Sequence, residues 1–117
     1  MCEGSFSAFD WNSLGPGAEH SADLDIFIDA LLVETGHSQV NLMGHSAGGG
    51  VSYAYLQDAD RASKVAHYAH IGSFSNDGPA GPDGGIPTLN LWSEGDFVID
   101  DKGDIEGATN VMLVTED

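Results

Sequence analysis

A serine stands between two glycines in Gly44-His45-Ser46-Ala47-Gly48, and this is the stretch of the chain whose residue types and spacing could do covalent chemistry. A serine hydroxyl is well presented at a sharp strand-to-helix turn, where the first helical amides and the helix dipole favour negative charge developing on an attacked carbonyl. Such a turn leaves almost no room for side chains two residues before and two residues after the serine. Gly44 and Gly48 meet that requirement, and His45 completes the elbow. The chemistry this predicts is acyl transfer. With 16 glycines in 117 residues the spacing alone is weak, so the flanking segments have to decide.

Upstream, Val40 to Met43 is apolar enough for a buried parallel strand, with Gln39 and Asn41 as its only polar members. Downstream, Val51 to Gln57 carries Tyr53, Ala54, Tyr55 and Leu56 and reads as a helix with a mixed face. Gly48, Gly49 and Gly50 open that helix, although each glycine costs it about 1 kcal/mol relative to alanine. Close approach of helix to sheet beneath the serine accounts for three such costs; a flexible linker is the blander alternative.

The elements around the elbow follow from pattern. Phe6 to Phe9 alternates weakly and predicts a short strand before the Gly15-Pro16-Gly17 break. Ser21 is placed as an N-cap, with Asp23 and Asp25 in the first turn where the helix dipole favours them. Leu24, Phe27, Ile28, Leu31 and Leu32 form one apolar helical face, Asp25 and Asp29 the wet face, and Gly36 the left-handed stop. Val65 to Ile71, Thr88 to Trp92 and Asn110 to Val114 read as strands, and Ser73 to Pro87 as a loop. Strands separated by helices predict one domain of α/β class, a parallel sheet flanked by helices.

A nucleophilic serine needs a base and an acid to orient that base. In open parallel sheets these groups gather at the carboxyl ends of strands. Asp96, in Ser93-Glu94-Gly95-Asp96, leaves a strand at such an end and is the candidate acid, with Glu94 second; a turn aspartate bonding its own backbone is the structural alternative. Gly44 to Gly50, Lys64-Val65-Ala66, Pro87-Thr88-Leu89 with Gly95-Asp96, and Gly107-Ala108-Thr109-Asn110-Val111 occur in that order. Together they resemble a small bacterial lipase of the α/β-hydrolase superfamily, from about Phe9 to the carboxyl end.

The resemblance implies Ser46 as nucleophile, Asp96 as acid and the Ala47 amide as one oxyanion donor. It implies a lipid or other carboxylic ester as substrate, cleaved through an acyl-enzyme with neither metal nor cofactor. It also implies a catalytic histidine shortly after the last strand, due beyond Asp117, and a second oxyanion donor from a His-Gly segment before Phe6. On this reading residues 1–117 are an incomplete α/β-hydrolase fold, poorly active by itself. A binding module that keeps the fold without the chemistry, and another acyl hydrolase such as a thioesterase, peptidase or polyester depolymerase, are the alternatives.

No internal histidine is an obvious base. His45 precedes the nucleophile and points elsewhere, and His37 lies at the wrong end of its strand. His67 and His70, three apart on a strand, face opposite sides and cannot chelate one metal together. His70 is expected to be a satisfied structural residue. Asp100, Asp101, Asp104 and Glu106 read as a solvated acidic turn in preference to a calcium loop. The apolar-poor loop 73–87 predicts an open site without a lid.

Composition sets outer bounds. Nineteen acidic residues against Arg61, Lys64 and Lys102 give a formal charge of -16, which disfavours nucleic acid and anionic membranes as partners. Such a balance suits a solvated surface or adaptation to high salt. Apolar runs of about four residues are far short of the ~20 that span a bilayer, and Met1 to Gly4 shows neither the basic start nor the apolar core of a signal peptide. Cys2 is alone, so no internal disulfide forms. A strand left unpaired at the sheet edge predicts self-association through that edge.

Overall fold

The computed structural model describes residues 7–9, 17–74, 78–82, 86–93 and 103–113. In chain order they form α1 (Gly17–Thr35), β1 (Val40–His45), α2 (Ala47–Leu56), α3 (Ala59–Ala62), β2 (Val65–Ile71), β3 (Thr88–Ser93) and β4 (Thr109–Leu113). The four strands make one parallel sheet in the order β1-β2-β3-β4. Helix α2 returns the chain from β1 to β2, as a parallel neighbour requires.

Pairing of Gly44 with His70, and of His70 with Asn90, puts Leu42, Gly44, Tyr68, His70 and Asn90 on the face that α2 covers. The core lies there. Tyr55 and Leu56 of α2, Leu24 and Ile28 of α1, and Val65 and Tyr68 of β2 are almost wholly buried. Each such aliphatic side chain contributes about 1.5–3 kcal/mol by leaving water. The other face carries Met43, Leu89, Val111 and Leu113, all exposed. β1 is therefore not the buried strand its composition predicts: Asn41, Met43 and His45 alternate out to solvent while Gly44 is enclosed. The apolar run marks the strand but does not say that both faces are covered.

Helix α1 starts earlier than its capping pattern suggests. Gly17 is already helical, so Ser21 lies inside the helix, is buried, and donates its hydroxyl to the Val51 carbonyl of α2 at 3.2 Å. At the other end the reading holds: Gly36 has φ 75° and its amide closes on the Leu32 carbonyl at 2.9 Å. Residues 7–9 are not a strand, and Phe9 instead lies against Phe27 with ring centroids 5.5 Å apart. Phe6 falls outside the described residues. Asp25 is not simply on a wet face, since it accepts from Tyr55 Oη at 3.0 Å and Lys64 Nζ at 2.9 Å.

The segment after β2 is a loop, with 75–77 and 83–85 outside the described residues. Residues 78–82 are tied to α2: Tyr53 donates to the Gly78 and Pro79 carbonyls at 2.8 and 3.1 Å, and Ala80 is buried. Between β3 and β4, Asn110 organises the returning chain by accepting from the Ile105 amide at 2.8 Å and donating to the Ile105 carbonyl at 3.0 Å. No described helix is long and apolar enough to cross a membrane.

Candidate active site

The elbow has the geometry its glycines require. β1 ends at His45, α2 begins at Ala47, and Ser46 between them has φ 54° and ψ -126°. It is the one non-glycine residue with positive φ among the described residues. A side chain in that region is strained by roughly 1–3 kcal/mol, a cost that persists only where the surroundings hold the backbone in place.

Three backbone contacts hold it. The Ser46 amide donates to the Ile71 carbonyl at 3.0 Å, and the Ser46 carbonyl accepts from the Gly49 amide at 2.9 Å and from Ser73 Oγ at 2.5 Å. The glycines permit this closeness. A Cβ on Gly44 would stand 2.8 Å from the Gly49 Cα and 2.9 Å from the Gly48 carbonyl oxygen. A Cβ on Gly49 would run into Ser73 Oγ and Cβ and stand 3.0 Å from His70 Cε1. Gly49 thus packs directly against the end of β2, whereas a Cβ on Gly50 would meet only Phe74 Cδ2 at 3.8 Å.

Beneath the turn lies a neutral polar chain. His70 is fully buried; its Nε2 lies 2.7 Å from the Phe74 carbonyl and its Nδ1 2.5 Å from Tyr68 Oη. A carbonyl only accepts, so Nε2 carries the proton and Tyr68 donates to Nδ1. Tyr68 Oη also lies 3.2 Å from the Gly49 carbonyl, and the Ser52 side chain bonds Tyr68 in turn. Burial pushes the His70 imidazole below its usual range, partly opposed by the Phe74 carbonyl. Burial raises the Tyr68 phenol, so both groups are neutral near pH 7.

Placing the other candidates separates them. With both ring nitrogens occupied, His70 is a structural residue and has no free nitrogen to take a proton from Ser46. His45 and His67 project from the face opposite α2, where His67 Nδ1 lies 3.1 Å from Asn41 Oδ1. His37 lies before β1, at its amino-terminal end, and His20 is buried in α1. Asp96 and Glu94 follow β3 directly, but they fall outside the described residues, as do Asp100 and Asp101. Asp104 accepts from Trp92 Nε1 at 3.2 Å. Among the described residues no group of acids, histidines or cysteines is gathered to hold a metal.

An open groove of about 980 Å³ runs between α1 and β1, lined in part by Leu24, Phe27, Leu42 and Met43. It passes Gly44 and Gly48 but not Ser46, and it extends to Ala69 and Leu89 on the face of the sheet opposite α2. Phe74, 39% exposed and one residue past Ser73, offers apolar surface near the head of α2.

Tyr68 and Ser73 are the contributors that spacing did not reveal. The triple glycine was a signal for Gly49. No local signal exists for Ser73, because its partner is 27 residues away. A sequence model described as the alpha/beta hydrolase fold matches residues 5–83, a span from ahead of the elbow to the loop after β2.

Proposed function

The chain belongs to the α/β-hydrolase fold family, and on that premise we propose that it is a serine hydrolase of carboxylic esters, lipid esters included. Family membership points to hydrolase chemistry in general; the ester substrate is the finer reading. In it Ser46 Oγ attacks the ester carbonyl carbon and its proton passes to a general base. The tetrahedral oxyanion rests on the Ala47 amide, the alcohol leaves with the proton, and water then releases the acid from the acyl-Ser46 intermediate. Asp96 orients the base. His70 is not that base, for the reason given above.

The observation that carries this reading is the strained Ser46 backbone at the head of α2, seated over Gly44 and Gly49. A ten-residue helix beginning one residue later aims its free amides and positive dipole end at the space where the oxyanion would form. A binding module has no need of that strain.

The test is covalent labelling. The full chain is incubated with a fluorophosphonate, with and without imidazole as an external base, and its peptides are mapped by mass. The expected result is one adduct on Ser46, lost in Ser46→Ala, together with cleavage of short-chain p-nitrophenyl esters when imidazole supplies the base. No adduct under either condition overturns the proposal and leaves the binding module; an adduct without ester cleavage moves the substrate to another acyl class.

A further inference from the structure

We propose that Ser73 is a positioning residue that fixes and polarises the Ser46–Ala47 peptide, so that the Ala47 amide is aimed and strengthened as an oxyanion donor. The consequence for catalysis rests on the ester-hydrolase reading above; the clamp on the peptide does not.

The geometry starts from the planarity of the peptide. In a trans peptide the carbonyl of one residue and the amide of the next point in opposite directions from a single rigid plane. Whatever holds the Ser46 carbonyl therefore sets the direction of the Ala47 N–H. Two donors hold it, the Gly49 amide at 2.9 Å from within the helix and the Ser73 hydroxyl at 2.5 Å from the end of β2. The Gly49 bond is local to the turn of helix. Ser73 is the donor that comes from another element, and so ties the plane to the sheet.

Ser73 is itself held on both sides. Gly72, at φ 52°, turns the chain out of β2 in a conformation that favours glycine, and its amide donates to the Leu91 carbonyl at 2.8 Å. On the other side His70 Nε2 takes the Phe74 carbonyl at 2.7 Å, and Tyr68 fixes His70 in turn. The Ser73 side chain, 2% exposed, lies where a Cβ on Gly49 would be, so no water competes for its proton. The buried Tyr68-His70-Phe74 chain thereby has a purpose beyond its own satisfaction: it holds Ser73 under the elbow.

Polarisation adds to position. A hydrogen bond accepted by an amide oxygen draws electron density toward it and makes the N–H of the same peptide a stronger donor, by about 10–30% per bond. A carbonyl bonded twice thus backs an amide better suited to an anion. Deleting an oxyanion donor outright costs about 10²–10³ in rate. Loosening and weakening one should cost less, on the order of tenfold.

The experiment compares the full-length wild type, Ser73→Ala and Tyr55→Phe, the last as a control that destabilises α2 far from the elbow. Ser73→Ala removes the hydroxyl without adding volume. The expected result is that phosphonylation of Ser46 slows about tenfold in its maximal rate with the half-saturating probe concentration unchanged. The Ala47 amide resonance in a ¹⁵N–¹H spectrum shifts as well, while Tyr55→Phe shows neither change. An Ala47 amide that does not move, or a rate loss that Tyr55→Phe matches in proportion to its loss of melting temperature, overturns the inference. If the wild type forms no Ser46 adduct while Ala47 still moves in Ser73→Ala, the hydrolase reading falls and the clamp stands.

Discussion

Helix α2 is anchored at its two ends by polar clusters of opposite character. Under its amino terminus Ser46 joins a neutral network in which Gly49, Ser52, Tyr68, His70 and Ser73 are buried. Toward its carboxyl terminus Tyr55 donates to Asp25, Lys64 bridges Asp25 and Asp29 at 2.9 and 2.7 Å, and the Arg61 guanidinium sits 5.7 Å over the Tyr55 ring. That second cluster uses two of the three cations in a chain of charge -16, and its lysine and carboxylates remain partly in water. The contrast separates two tasks. Buried neutral hydrogen bonds fix atoms to within tenths of an ångström and are costly to break, because the abandoned partner stays dry. Exposed ion pairs are screened and forgiving, so they hold a helix near its place without defining a geometry.

The largest expected effect strikes the neutral end. Gly49→Ala puts a methyl into the space of the buried Ser73 side chain, and overpacking of this kind costs about 1–3 kcal/mol or more. The urea midpoint should fall accordingly and Ser46 labelling should be lost. A variant with wild-type stability would show that α2 can lift from the sheet, and would break the contrast.

Next in size is the pH response of the same end. Burial holds the His70 imidazole below its usual range. The unfolded chain binds a proton there below about pH 6.5, whereas the folded chain resists it. Stability from this group is complete above that pH and declines as pH falls toward the folded value. Urea midpoints measured from pH 7 to 5 should fall, and in His70→Gln the fall should be shallower. Equal slopes would mean that His70 is not the group refusing the proton.

The charged end should respond least. Burial raises Asp25, but the donors Lys64 and Tyr55 outweigh it and leave the carboxyl lowered, while the Asp29 and Asp25 carboxylates raise Lys64. Both groups are charged across the neutral range. Lys64→Met should cost about 0–1 kcal/mol at low salt, and the difference from wild type should vanish in molar sodium chloride. A larger loss that persists in salt would make the pair as specific as the buried network.

The periodic elements were legible because each is a local property. The five apolar positions of α1, the left-handed Gly36 and the positions of β2, β3 and β4 follow from spacing and from backbone freedom. The start of α1 was misread for a physical reason: serine caps helices well, and nothing near Ser21 announces that its hydroxyl is taken by Val51, thirty residues on. Asn41 and Met43 looked buried because an apolar strand reads the same whether one face or two are covered.

By itself, then, the sequence determined the α/β class, the glycine-bounded elbow and the serine that occupies it, since these depend on side-chain volume, backbone permissiveness and periodicity within a few residues. Only the tertiary structure decided that His70 spends both nitrogens on Tyr68 and Phe74, that Gly49 rather than Gly50 meets the sheet, and that Ser73 grips the Ser46 carbonyl. The Gly49 and Ser46 contacts with Ser73 join the head of α2 to the end of β2 across more than twenty residues. They exist because the β1–β2 register brings Gly44 beside His70, a relation between segments that neither segment encodes alone.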